Sequence, residues 1–363
     1  MTMIDPPRRR DQADANARTA YLVLGMHRSG TSAITQLLSL AGAQLPKNLM
    51  PGDEHNAQGY FEPWRIATFN DERLRAAGSA WDDVFAFPCP VVAESAATDW
   101  RARAGGLFRA EFGARRFPLM KDPRVTVLLP FWREVFADVG VAARCVIPVR
   151  HPLAVAGSLA RRDGFKRQKS VLLWSAYMLA AEAYSRDLPR AFVGYDQLLA
   201  NWRTEVARIE RSHGAALPKL GDRAERDIDA ALTSDLRHNR DEGDLASLGW
   251  AGEIAATVYD WFAAAAQDEK PSVASLETAA AALASRQREV GALVSPATRD
   301  LDAARSELHG LRQKLAWQEG EQRQLQEQFD TLLARFEALQ RDWWTQKGVM
   351  EEAEWALDDI LAR

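Results

Sequence analysis

The sequence predicts an α/β chain: a parallel sheet flanked by helices, followed by a long C-terminal α-helical coiled-coil segment. Three observations carry that expectation. Short apolar runs of strand character alternate with amphipathic stretches up to about residue 213. The first of those runs breaks into a polar, glycine-bounded loop that opens a helix, a P-loop-like arrangement. From residue 301 onward a seven-residue apolar period replaces the earlier alternation.

The chain of 363 residues is long enough for one sizeable core and an appendage. Its 47% apolar and 26% charged content are ordinary for a soluble protein, and a net charge of −4 gives no global sign of nucleic-acid binding. Any anion site must therefore be local. Cys89 and Cys145 are too few for a disulfide framework, and Cys145 lies in an apolar run that suits a reduced core thiol. No stretch approaches about 18 uninterrupted apolar residues, so no membrane span is expected. The first 19 residues carry Pro6, Pro7 and three successive arginines without an apolar core, which argues against a secretory signal. The cytoplasm is the expected location. The expected organisation is a flexible leader over 1–19, an α/β domain over 20–265, a helical linker over 266–297 and an oligomerising helix over 298–363.

In order, residues 21–24 form the first strand and Ile34, Leu37, Leu38 and Ala41 mark the helix after it. A long polar segment follows and ends near Glu62-Pro63, where a helix starts with Pro63 in its first turn. Such a loop suits the wall of a binding cleft. Residues 98–112 read as a helix, 117–120 as a strand and 125–137 as a helix. The next strand, 143–149, runs into Arg150-His151-Pro152 and a helix over 152–161. Residues 168–186 are a strong helix, and 191–193 a strand leading into Tyr195-Asp196 and a helix through Trp202 and Ile209. Strands and helices alternating at this spacing imply a parallel sheet, whose ligands sit at the carboxyl ends of the strands. Arg28, Lys121, Arg150 and Tyr195 each follow a predicted strand and should meet at that edge.

The loop GMHRSGTS places Gly25 and Gly30 at the spacing of a nucleotide-triphosphate loop, but Thr31-Ser32 stands where such a loop needs Lys then Ser or Thr. Backbone N–H groups and the positive helix end still suit a phosphate there. Beyond residue 213 the strands stop; 225–262 and 273–293 read as helical, and Pro296 is expected to interrupt the latter. Over 301–349, eleven of fourteen heptad core positions are apolar, with Gln318 and Gln322 set among them. At about 1.5 Å per residue such a helix extends about 70 Å. Self-association accounts for it, with a helical hairpin packed on the first domain as the alternative, since Gly310 and Gly320 could support a turn.

Taken together, residues 20–215 resemble the sulfotransferase family, specifically its bacterial branch acting on saccharides and small acceptors. GMHRSGTS looks like the family's 5′-phosphosulfate loop, with Gly25, His27, Arg28, Ser29, Gly30, Thr31 and Ser32 as donor-binding positions. VRHPLAVAGSL looks like its 3′-phosphate site, an Arg closing a strand and a Ser eight residues on, here Arg150 and Ser158. YDQLL is similar to the segment near the adenine and brings in Tyr195. The resemblance implies 3′-phosphoadenosine 5′-phosphosulfate (PAPS) as donor and no required metal, with Arg28 and the loop carrying the charge. The family's late Arg-Lys-Gly loop has no counterpart; the basic residues near 235–240 could supply that contact, but they read more simply as a solvated helix end.

Lys121 opens a Lys-Asp-Pro similar to one in the tyrosylprotein branch, which implies a Lys against the transferred sulfuryl group. A surface pair with Asp122 is the plain alternative. The acceptor hydroxyl loses a proton as it attacks, so a base is needed within hydrogen-bond reach. Glu62 in GYFE is the favoured base by resemblance, His55 is next and Glu54 lies beside it. Trp64 and Trp81 stand near the expected acceptor wall. The expected activity is sulfuryl transfer to an acceptor hydroxyl, a saccharide or cell-surface glycan, by a homo-oligomer without nucleic-acid partners. A P-loop kinase or NTPase, and a non-catalytic assembly protein with a vestigial nucleotide fold, are the competing expectations.

Overall fold

The protein is described by a computed structural model covering residues 18–51, 60–87, 94–232 and 243–361. The chain divides after residue 299 into two units. At the centre of the first lies a four-stranded parallel sheet of order β2-β1-β3-β4, formed by β1 (Arg18–Val23), β2 (Leu119–Lys121), β3 (Val141–Val149) and β4 (Arg190–Gly194). The parallel sheet expected from the alternation is present, and the chain visits opposite sides of β1 in succession. The loop after β1 thus emerges where the strand order reverses, the position that favours a ligand.

Alternation along β1 explains why both faces are covered. Ala20 and Leu22, with Leu24 just beyond the strand, enter one core with α2 (Trp64–Ala76), α5 (Leu129–Asp138), α7 (Arg167–Ser185) and α11 (Trp250–Ala265). Tyr21 and Val23 enter the other, with α1 (Thr31–Leu40), α9 (Trp202–His213) and α10 (Asp222–Ala231). A strand buried on both faces reads as a continuous apolar run, which is how residues 20–24 read.

Several boundaries differ from the sequence reading. Residues 125–137 form two helices, α4 (Pro123–Val127) and α5, because Pro130 is tolerated only in a first turn. Asn201, extended at φ −156°, separates α8 (Tyr195–Ala200) from α9. The helix α3 (Glu94–Phe112) begins earlier than expected, and α6 (Pro152–Asp163) extends to a left-handed Gly164. Pro296 does not interrupt the last helix, which runs as α12 from Ala274 to Leu361. Proline there costs about 3 kcal/mol, and the preceding turns are held by packing, with Leu276, Ala279 and Leu283 buried and Ser295 bonded to Asp83.

Residues 274–295, expected as part of a linker, pack on the first unit. Leu276, Ala279 and Leu283 are buried in its core. Gln287 Nε2 donates to the Val84 carbonyl at 2.8 Å and Ser295 Oγ to Asp83 Oδ1 at 2.9 Å. Gly291 fits because any Cβ would lie 2.9 Å from the Phe85 carbonyl oxygen. In the second unit, residues 300–361 are helical, and Leu301, Leu315, Phe329 and Trp343 are exposed. Among the described residues no helix is long and apolar enough to cross a membrane.

One buried histidine gives the first unit a pH dependence. His213 Nε2 donates to the Cys145 carbonyl at 3.0 Å, and burial lowers its pKa to about 4. Between pH 4 and 6.5 the unfolded chain binds the extra proton, so stability is present above 6.5 and lost as pH falls toward 4. The expected loss from this group is about 3 kcal/mol. Chemical denaturation of the His213→Phe variant across that range should show the slope reduced relative to the parent.

Candidate functional site

The loop after β1 is built by backbone geometry as much as by side chains. Gly30 takes φ 93° and caps α1, while Arg28 takes φ 68°, a left-handed conformation uncommon for a residue with a side chain. Thr126, on α4, fastens the loop's start: the Gly25 amide donates to its Oγ1 at 2.8 Å. The far end is closed by Tyr195, the first residue of α8. A Cβ at Gly30 would lie 2.3 Å from Tyr195 Cδ2. Gly30→Ala is therefore expected to cost at least about 2 kcal/mol of stability from the dihedral and the clash. Thermal unfolding should report that loss.

The expected donor-binding residues come together around this loop. Arg28 Nε donates to Ser158 Oγ on α6 at 2.8 Å. Arg150, directly after β3, donates through Nη1 to the Arg28 carbonyl at 3.0 Å, and its guanidinium carbon lies 4.5 Å from the Tyr195 ring centre. Thr31 is buried at the start of α1 and Ser32 beside it is half-buried. Two loop side chains have buried polar atoms without hydrogen-bond partners among the described residues: His27 Nε2 and Ser29 Oγ. Orphaned polar atoms beside a helix N-terminus fit a ligand that brings its own acceptors and donors.

Electrostatics mark the same place. Burial holds the His27 imidazole well below its ordinary pKa, and Arg162, Arg124, Lys121 and Arg28 push it further down. His27 is thus neutral beside four cations. Burial, followed by Arg162, also lowers the Arg28 pKa, with Tyr60 opposing. Glu62, Asp122, Asp71 and Asp163 pair with Lys121, Arg124 and Arg162, so His27 sits beside a dense ion-pair network.

Lys121 is the last residue of β2 and is buried. Its Nζ donates to Glu62 Oε1 at 2.7 Å and to the Tyr60 carbonyl at 2.8 Å. The two side chains are 3% and 2% exposed. Glu62 Oε2 also faces Arg124 Nη1 at 3.5 Å. The carboxylate considered as a base is therefore engaged by two cations. Lys121 pairs with Glu62, whereas Asp122 caps α4 through the Arg124 amide and accepts from Arg124 Nη1 at 2.8 Å. Asn70 Nδ2 donates to the other Asp122 oxygen at 2.7 Å and is itself held by Trp132 Nε1. Although burial works against the Arg124 charge, Asp122, Asp71 and Glu62 raise its pKa well above the ordinary value.

Beside the loop stands an aromatic wall. Trp81 stacks on Phe165 at 5.8 Å and meets His27 edge-on at 4.8 Å. Arg162 lies over Trp81 and Lys169 over Phe165, and Lys169 Nζ reaches Asp82 Oδ2 at 2.5 Å. Trp64, the other aromatic singled out in the sequence, is exposed at the start of α2. Glu54, His55, Cys89 and the basic residues near 235–240 lie outside the described residues. Thr126, Phe165, Arg162 and Lys169 escaped the sequence reading. Thr126 continues the Lys-Asp-Pro run and was within reach of it, but no local signal marks the other three.

No family profile matches the sequence, and no curated protein matches it. Among solved structures, the chain is similar to the sulfotransferase domain from the Synechococcus PCC 7002 olefin synthase. That similarity has 17% identity and a TM-score of 0.41, and covers 68% of this chain and 95% of the other. The chain is also similar to the sulfotransferase STF1 from Mycobacterium tuberculosis, at 16% identity and a TM-score of 0.38. There 68% of this chain and 78% of the other are covered.

Proposed function

We propose that this site transfers a sulfuryl group from PAPS to a hydroxyl of an acceptor, a saccharide or cell-surface glycan. The observation that carries the reading is the junction of Arg28, Ser158, Arg150 and Tyr195 around the Gly25–Gly30 loop. Bound there, the donor supplies a mixed anhydride whose sulfuryl group is open to in-line attack. Loop amides, Ser29, Thr31 and Ser32 would hold its 5′ end, with His27 beside them. Arg150 and Ser158 would hold the 3′-phosphate, the Arg by a forked, charge-assisted contact. Tyr195 belongs on the adenine side.

In this reading Arg28 and Lys121 neutralise charge that develops on the transferred group and the departing oxygen, the preorganised stabilisation such transfers need. Glu62 fixes Lys121 and is the carboxylate assigned as base, with His55 as the other group in that role. A Thr-Ser pair in place of Lys-Ser/Thr favours this donor over a nucleoside triphosphate. The second unit is read as a self-associating helix.

Binding selectivity tests the proposal. Adenosine 3′,5′-bisphosphate at a hundred times its Kd should stabilise the protein by about 2.7 kcal/mol, read as a rise in Tm. ATP with Mg²⁺ should do little. Stabilisation by Mg²⁺-ATP and none by the bisphosphate would replace this reading with that of an NTPase or kinase.

A further inference from the structure

The apolar period of α12 runs beyond the stretch first singled out. Positions seven apart from Leu301 continue through Trp343 to Met350 and Leu357, and those from Ala304 continue through Gln346 to Ala353. Fourteen of these seventeen positions are apolar. Their large members are open to solvent, from Leu301 at 48% to Leu339 at 69%. A long helix with so regular an exposed stripe needs a cover, and the charges beside the stripe indicate which one.

We propose that the cover is a second copy of this chain, lying parallel and in register along residues 300–357. The proposal rests on the self-association reading and is independent of sulfuryl transfer. In a parallel, in-register pair, each residue preceding one core position meets the residue five places further along in the other copy. Asp300 then meets Arg305, Glu307 meets Arg312, Lys314 meets Glu319 and Asp342 meets Lys347. No like charges meet at the remaining flanking positions of this span. Gln318, Gln322 and Gln346 each face their own counterpart, amide donor to amide acceptor.

The antiparallel alternative over the same span lacks this complementarity. It joins Arg305 to Glu354, but sets Arg312 against Lys347 and Glu321 against Asp342. It also buries Gln318 opposite Trp343, which leaves the amide without a polar partner. Charge and polar matching therefore select the parallel register, the use to which polar core positions are best suited.

Single cysteines in the full chain read the orientation. In a Cys89→Ser background, Gln322→Cys and Leu339→Cys are prepared separately and treated with oxidised glutathione. Parallel, in-register pairing brings each introduced thiol to its own counterpart at disulfide distance. Either variant alone should then yield a cross-linked species of twice the chain mass. Cross-linking only when the two variants are mixed would establish the antiparallel register and overturn the proposal. Light scattering on the unsubstituted chain tests association separately; a mass of one chain, or of more than two, also overturns it.

Discussion

Arg150→Ala is expected to weaken binding of adenosine 3′,5′-bisphosphate about a hundredfold, as measured by titration calorimetry. Two losses combine. A charge-assisted, bidentate contact to a phosphate is worth about 1.5–3 kcal/mol. The same guanidinium ties the loop to its surroundings, through the Arg28 carbonyl at 3.0 Å and the Tyr195 ring at 4.5 Å. Removing it frees a loop whose Arg28 backbone is held in a left-handed conformation, so part of the binding geometry is lost with the contact. Arg150→Lys should recover charge but not the fork or the planar stacking, and should bind between the two. Unchanged affinity in Arg150→Ala would remove Arg150 from the donor site.

Lys121→Ala is expected to show the second large effect, on stability and on turnover together. Among the described residues, the substitution leaves buried Glu62 with Arg124 at 3.5 Å as its remaining cation. Breaking such a pair costs about 3–5 kcal/mol, and the remaining cation places the expected value near the lower end. Chemical denaturation should therefore show a loss of about 3 kcal/mol. Turnover should fall by about 10²–10³, the usual effect of removing one preorganised donor, while affinity for the bisphosphate changes far less. Lys121→Met paired with Glu62→Gln buries no unpaired charge but removes the candidate base as well, so Glu62→Gln alone is measured beside it. If this double variant is stable and fully active, Lys121 has no part in transfer.

How far the sequence disclosed this site depends on the range over which its information is carried. The loop was legible because Gly25 and Gly30 encode local backbone geometry and the strand before them is a plain apolar run. Arg150 and Tyr195 were placed correctly at strand ends because β3 and β4 are bounded by polar residues. β2 was harder. It has three residues, and its ladder with β1, pairing Val23 with Lys121, puts the lysine inside the strand. The Glu62–Lys121 pair spans 59 residues, so each partner received a separate role. No local pattern says that a buried carboxylate and a buried ammonium will meet. The aromatic wall is of the same kind, since Trp81, Arg162 and Phe165 are joined only by the packing of distant elements. Proline punctuation worked at Pro63 and Pro152, where a helix start was expected, missed the starts at Pro123 and Pro130, and failed at Pro296. The heptad, by contrast, is a repeat, and a repeat is visible without knowing what lies across from it.

Transfer of label from sulfur-labelled PAPS to a panel of glycans by the full chain is the measurement that bears most directly on the proposed activity. The account predicts labelled acceptor, formed in proportion to adenosine 3′,5′-bisphosphate released, and reduced about a hundredfold by Arg150→Ala when the donor is limiting. A folded protein that binds the bisphosphate yet neither labels any acceptor nor hydrolyses the donor would contradict it.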